Sequence, residues 1–267
     1  MTIGDSILLG ILQGITEFLP VSSSGHLAVA QQIMNVSQPG VNFEIAVHLG
    51  TLLSIFVVLG KDLRDVIMNL TSPQNQRLIL FVFIGTLPAA VFGLTMKSEI
   101  SALSEYLPAV GAGFFVSALF LFLMRFATSI SLKMNSTKAI ILGFAQAAAL
   151  LAGISRSGMT ISSARLMGIE SKEAFRFSFF LAIPAILGSG ILLLKDLSTE
   201  VVASDNILIM ITGALAAFVV GIGALQILRK FLMRGKLHWL GFYCLTMGIM
   251  CRCQNQARSN CHLLELC

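Results

Sequence analysis

The 267-residue chain is 56% apolar and 12% charged, whereas soluble domains run at about 45–50% and about 25%. That composition excludes a soluble globular fold. The formal charge of +5 does not signal nucleic-acid binding, because the basic residues sit in short loops between apolar runs, as membrane orientation requires.

Reading from the N-terminus, the first apolar segment, Ile7–Leu19, is about 13 residues long and runs into a polar cluster followed by a second short apolar stretch. No Lys or Arg precedes Lys61, so this segment lacks the basic region of a cleavable signal peptide and is expected to belong to the fold. Full spans are expected at roughly 43–59, 78–95 and 107–128, close to the ~20 residues that a bilayer core demands. Ala139–Leu151 then repeats the behaviour of the first segment. Further spans are expected at roughly 173–194, 206–228 and 237–251, the last one short. A half-crossing that breaks in a polar cluster is the pattern of a re-entrant hairpin. Backbone broken at membrane depth must be buried in protein or face a water-filled cavity, so both clusters should line a site.

The two clusters are related. A shift of 133 positions lays Leu9, Gly10 and Gln13 on Leu142, Gly143 and Gln146, and Ser22, Ser24 and Gly25 on Ser155, Ser157 and Gly158. The chain therefore reads as one membrane domain, 1–267, built by duplication: repeat 1 at about 1–130, repeat 2 at about 135–251, then an atypical polar, Cys-containing tail, 252–267. A re-entrant hairpin returns to the side it left, so three crossings turn the second copy upside down. The expected fold is an all-α polytopic membrane protein with an inverted-topology repeat, each half a re-entrant helical hairpin plus three transmembrane helices. This topology gathers Lys61, Arg64, Arg77, Arg125, Lys133, Lys138, Lys172, Arg176, Arg229, Lys230, Arg234 and Lys236 on one side, leaving Lys97 and Lys195 in the opposite loops. The first side is expected to be cytoplasmic, with both termini and the first hairpin toward the outside.

All five cysteines, Cys244, Cys251, Cys253, Cys261 and Cys267, fall at the C-terminal end, so no disulfide framework is expected. Cys251-x-Cys253 lacks the second pair of ligands that a zinc site would use.

The first cluster runs Gln13-Gly-Ile-Thr-Glu17-Phe-Leu-Pro20-Val-Ser22-Ser23-Ser24-Gly25-His26. Gln13 and Glu17, four apart, share one helix face. Pro20 stops that helix, and the serines offer caps to the next one. A half-helix N-terminus presents unpaired N–H groups and a positive dipole end, which suits an anion such as phosphate. The second cluster, Gly153-Ile-Ser155-Arg156-Ser157-Gly158-Met-Thr160, has the same build around an arginine. Its planar fork suits two phosphate oxygens. An intramembrane Arg is costly unless paired or facing water, and Glu17 is the obvious counter-charge. A purely structural ion pair between repeats is the blander reading, and the ring of hydroxyls from Ser22, Ser23, Ser24, Ser155, Ser157 and Thr160 argues against it.

Other residues read more plainly. His48, on an apolar run, is expected to be a hydrogen-bonded core residue. Arg165 is expected to snorkel to the interface, and Trp239 to anchor there.

These motifs resemble the paired signatures of the undecaprenyl-diphosphate phosphatase family, the bacitracin-resistance type of integral membrane phosphatase, over about positions 1–250. Supporting matches are Phe43 with Leu49-Gly50 and the run Arg176-Phe-Ser-Phe-Phe-Leu-Ala-Ile-Pro184. The resemblance implies functional roles at Glu17, Ser23, His26, Ser155, Arg156, Ser157 and Thr160, with Glu or Gln allowed at Gln13. Departures are Ala152 in place of Pro, His48 where Gln is common, and Cys-Arg-Cys-Gln-Asn-Gln at 251–256 where the family continues apolar.

The implied activity is hydrolysis of undecaprenyl diphosphate to undecaprenyl phosphate plus phosphate, at the outer face of the bacterial inner membrane. Ser23 is the expected nucleophile, activated by Glu17 or His26, with His26 as nucleophile or leaving-group acid left open. The diphosphate is expected on Ser22, Ser24, Ser155, Arg156, Ser157, Gly158 and Thr160. A divalent cation, Mg²⁺ or Ca²⁺, is expected on Glu17 and Gln13, since both groups offer oxygen. Membrane lipids are expected neighbours, and a homodimer is left open. The rival class is a transporter or flippase of an anionic polyprenyl lipid, because inverted repeats meeting at broken helices are also a transporter build.

Overall fold

Helix α1 (Ile3–Phe18) opens on a capping box in which Thr2 and Asp5 exchange side-chain and backbone hydrogen bonds of 2.7 and 3.2 Å. It stops because Leu19 precedes Pro20 and adopts an extended conformation. Helix α2 (Ser23–Ile33) follows after a tight turn, then α3 (Val41–Val58) and α4 (Gly60–Met68). Helices α5 (Pro73–Thr95), α6 (Lys97–Glu105) and α7 (Leu107–Leu123) complete the first half, with a 3₁₀ turn at Met124–Phe126. The second half comprises α8 (Ser136–Ala148), α9 (Arg156–Leu166), α10 (Ser171–Asp196), α11 (Ser204–Met233) and α12 (Trp239–Glu265). The structure is a computed structural model describing residues 1–34, 41–127, 130–196 and 204–265. Of these, 41–42, 192–196, 204–206, 255 and 257–265 are described by backbone alone. Among the described residues every regular element is helical.

Among the described residues four helical stretches are long and apolar enough to cross a membrane: Pro73–Thr95, Leu107–Phe126, Ser171–Ile191 and Ile207–Met233. A fifth is added if Phe43–Val58 and Gly60–Met68, bent by 71° at Leu59, count as one. The protein is thus an all-helical, multi-pass membrane protein. Helix α5 presents Leu80, Phe83, Val91 and Leu94 outward, an apolar surface that lipid tolerates and water does not. The expected sixth span differs. Its apolar part, 239–251, is only about 20 Å long at 1.5 Å per residue, and the helix continues through Arg252 instead of ending there. Cys244 and Cys251 are buried and Cys253 is exposed, all three free. The side chains of Cys261 and Cys267 lie outside the described residues.

The pairs α1/α2 and α8/α9 contain only short helices. Their lengths of 16, 11, 13 and 11 residues correspond to at most ~24 Å, short of the ~30 Å hydrocarbon core. Both first members begin earlier than the apolar pattern predicts, at Ile3 and Ser136 instead of Ile7 and Ala139. Their caps, Thr2 and Asn135, recruit the preceding polar residues. Helix α1 lies on α11 and α8 lies on α5, while α7 packs on α12 and α3 on both α10 and α11. At Gly10 a side chain would strike the carbonyl of Gly213, and at Gly143 that of Gly85, so bare backbone sets both crossings. Phe18, Phe114, Ile161, Phe179 and Leu225 fill the core between the short helices.

Candidate active site

Glu17, in the last turn of α1, is 8% exposed and draws groups from four helices. Ser23, the first residue of α2, donates its hydroxyl to Glu17 Oε2 at 2.6 Å. Gln13, one turn earlier on α1, donates Nε2–H to the same oxygen at 3.1 Å. Arg156, the first residue of α9, donates Nη2–H to Glu17 Oε1 in a tight ion pair. His48 of α3 brings Nε2 to 3.7 Å from Oε2, its ring oriented by Nδ1–H donating to the Glu44 carbonyl at 2.8 Å. A carboxylate this buried is tolerated only with such pairing.

The turns that carry Ser23 and Arg156 are built alike. Ser22 caps α2 by accepting from Gly25 N–H at 3.3 Å, and Ser155 caps α9 by accepting from Gly158 N–H at 3.1 Å. In each, the cap hydroxyl lies 3.4 Å from the serine two residues on, Ser24 or Ser157. Ser22 has φ of 68°, a left-handed conformation rare outside glycine, worth about 1–3 kcal/mol of strain. Its carbonyl accepts from His26 N–H at 3.2 Å, which helps to hold it there. In the second turn Gly153, at φ of 89°, lies so close to the Val110 carbonyl that no side chain fits. Ser117 of α7 completes that turn, donating to Gly153 O at 2.9 Å and accepting from Ser155 N–H at 2.8 Å.

A cavity of about 230 Å³ opens beside these groups, lined by Glu17, Ser22, Ser23, Ser24, Ser155 and Arg156, with His48 and Gln146 also on its wall. Several expected site residues stand elsewhere. Ser157, Gly158 and Thr160 lie buried behind the wall. The Gly158 N–H is engaged by the cap, and Thr160 donates to Arg156 O at 2.8 Å and pairs with Ser178 of α10 at 2.5 Å. His26 faces away from the cavity: its Nδ1 meets Ser22 O and its Nε2 meets Tyr243 Oη, each at 2.7 Å, with the two rings stacked. The expectation that His26 activates Ser23 is not met in this arrangement, because both ring nitrogens are engaged elsewhere. Arg165 donates to Ile169 O at 2.6 Å, and Trp239 is exposed beside Phe242.

His48, expected to be a hydrogen-bonded core residue, does make a backbone hydrogen bond, yet it is only half-buried and its other nitrogen faces Glu17. The rule that flags an ionisable group in a span as functional applies to it as it does to Arg156. Gln146 carried a signal too, as the repeat counterpart of Gln13. Ser117 and Tyr243 carried none.

Glu17 and the neighbouring serine hydroxyls offer oxygen, the chemistry preferred by Mg²⁺ or Ca²⁺, although the carboxylate is at present met by the Gln13 amide nitrogen, the Arg156 guanidinium and the His48 imidazole. Gln13 Oε1 is buried and has no partner among the described residues. That oxygen points away from Glu17, because the amide nitrogen is the end that meets the carboxylate, and it would have to turn to join Glu17 around a cation. Among the described residues no three His, Cys, Asp or Glu side chains converge.

A carboxylate, a hydroxyl and a guanidinium meeting where two pairs of short helices come together, inside an apolar helical bundle, define a multi-pass membrane protein with a polar site enclosed by its helices. Residues 6–250 match the family described as bacitracin resistance protein BacA, and the chain belongs to that family. It is 36% identical to a protein of Desulforapulum autotrophicum, over 94% of this chain and 97% of that one. It is 38% identical to one of Rhodopirellula baltica, over 91% and 95%, and 36% identical to one of Korarchaeum cryptofilum, over 93% and 98%. Each of these relatives carries the name undecaprenyl-diphosphatase.

Proposed function

We propose that this protein hydrolyses undecaprenyl diphosphate to undecaprenyl phosphate and inorganic phosphate at the outer face of the inner membrane, in the cavity beside Glu17. The observation that carries the reading is the Ser23–Glu17–Arg156 contact, in which one carboxylate accepts from a hydroxyl at one oxygen and from a guanidinium at the other. Ser23 Oγ attacks the terminal phosphorus while its proton passes to Glu17. The bond from that phosphorus to the bridging oxygen breaks, and undecaprenyl phosphate leaves. Arg156 turns its fork from Glu17 to the equatorial phosphoryl oxygens, where charge gathers during transfer. Water then cleaves the phosphoserine and releases phosphate. A divalent cation, Mg²⁺ or Ca²⁺, would be held by Glu17 with the Gln13 amide oxygen, and when bound it would relieve repulsion between the carboxylate and the phosphate.

We read α1/α2 and α8/α9 as re-entrant hairpins, and the halves of the chain as inverted copies. Three correspondences support this: the matched caps at Ser22 and Ser155, the matched crossings at Gly10–Gly213 and Gly143–Gly85, and the reciprocal seating of α1 on α11 and α8 on α5. The bias of Lys and Arg toward one set of loops supports the outward orientation.

The test is phosphate release from the purified full chain in detergent. Release from undecaprenyl diphosphate that is lost in Ser23→Ala is the expected result. Binding without release would transfer the site to the rival class, a carrier of anionic polyprenyl lipid, which needs neither nucleophile nor proton acceptor.

A further inference from the structure

Gln146 sits on α8 where Gln13 sits on α1, 133 positions apart, but their surroundings differ. Gln13 meets a carboxylate one turn on, at Glu17, whereas the position one turn beyond Gln146 is Leu150. Gln146 is 2% exposed, and neither its Nε2 nor its Oε1 has a hydrogen-bond partner among the described residues. It also lines the cavity shared by Glu17, Ser23 and Arg156.

Leaving a buried donor or acceptor unmet costs about 1–3 kcal/mol for each group. Packing gives no reason to bear that cost. The neighbouring wall of the cavity is apolar, formed by Ala149, Leu150 and Ile154, and the seat of α8 on α5 is fixed at Gly143 and Gly85. Methionine would fill the same space with no orphaned group.

We infer that Gln146 is a further substrate-contacting residue whose carboxamide is satisfied by the diphosphate. This rests on the diphosphatase reading above. Phosphoryl oxygens only accept hydrogen bonds, so Nε2–H₂ is the end that meets them. Oε1 takes an O–H, from a protonated phosphate oxygen or from a water carried in beside it. Being uncharged, the amide adds contact without adding to the charge that Arg156 already supplies, and the two differ in kind: Arg156 is held by Glu17 until substrate arrives, while Gln146 has nothing to release.

The experiment uses the purified full chain in detergent, with inorganic pyrophosphate as the probe, read by its dissociation constant and by the rise in melting temperature it produces. Gln146→Met should melt at or above the wild-type temperature without ligand, because two orphaned groups are gone. It should bind pyrophosphate about tenfold more weakly, the worth of one hydrogen bond of about 1.4 kcal/mol. Gln146→Glu, which keeps the shape but replaces the donor with a negative charge, should bind more weakly still. Undiminished pyrophosphate binding by a folded Gln146→Met overturns the inference and assigns the amide to water alone. A Gln146→Met that melts well below wild type overturns it in favour of a structural role, unless a folded Gln146→Glu has lost pyrophosphate binding, which upholds it. If the wild-type protein neither binds pyrophosphate nor releases phosphate, the diphosphatase reading fails first, a result distinct from either of these.

Discussion

Arg156 and Glu17, 139 positions apart in the chain, form an ion pair that ties the start of α9 to the end of α1. The pair supplies both the counter-charge that lets Glu17 stay buried and the fork that a phosphate would take over. Lysine restores the charge but not the planar fork. Arg156→Lys is expected to fold and to lose phosphate release by about 100-fold or more, the scale seen when one transition-state donor is removed. Near-normal turnover in a folded Arg156→Lys would count heavily against phosphate clamping.

The three adjacent serines should separate by role. Ser23 alone donates to Glu17, so Ser23→Ala is expected to lose most activity while changing stability little. Ser22 is a cap in a left-handed conformation. Ser22→Ala should therefore cost about 1 kcal/mol or more in stability, with Ser22→Gly milder because glycine tolerates that backbone. Ser24 is exposed, and Ser24→Ala should do little to either. Thermal unfolding beside initial rates distinguishes the three, and equal mild losses at all of them would remove Ser23 as the nucleophile.

His48 reaches the oxygen of Glu17 that also accepts from Ser23. Its loss in His48→Ala should lower kcat/KM by about tenfold, near the worth of one polar contact to a charged group. His48→Gln places an amide N–H within reach of the same carboxylate and should retain most activity. Equal loss in both variants would mean that the imidazole has a role of its own.

The site should respond to metal. A carboxylate beside a diphosphate in a poorly solvated cavity meets like charge, which a divalent cation relieves. Excess chelator is expected to abolish phosphate release, Mg²⁺ or Ca²⁺ to restore it, and Glu17→Gln to lose both the rate and its metal dependence. Full activity in chelator would remove the cation from the mechanism.

Much of this arrangement could be read along the chain because the governing rules are local. Pro20 ends one helix, serines begin the next, and Gln13 and Glu17 share a face by their spacing alone. The meeting of Glu17 with Arg156 followed from a simple requirement, that two opposite charges in apolar surroundings find each other. Where the outcome depends on a neighbouring helix, the sequence was silent. Nothing near His26 indicates that Tyr243, 217 positions away, would turn its ring from the cavity. Nothing near Gln13 fixes which end of its amide meets Glu17. The early start of α1 and α8 was legible in principle, from Thr2 and Asn135, but apolar counting overlooks polar caps.

The seating of α1 against α11 has a consequence for how the molecule is made. Gly10 rests on the backbone at Gly213, so α1 has no finished seat until α11 has emerged. Glu17 likewise waits for α9 to bring Arg156. A newly inserted chain therefore carries Glu17 without its counter-charge until α9 is made, with only the nearby Gln13 and Ser23 to donate to it. Closure of the polar centre is a late event, governed by contacts remote in sequence that are slow to form.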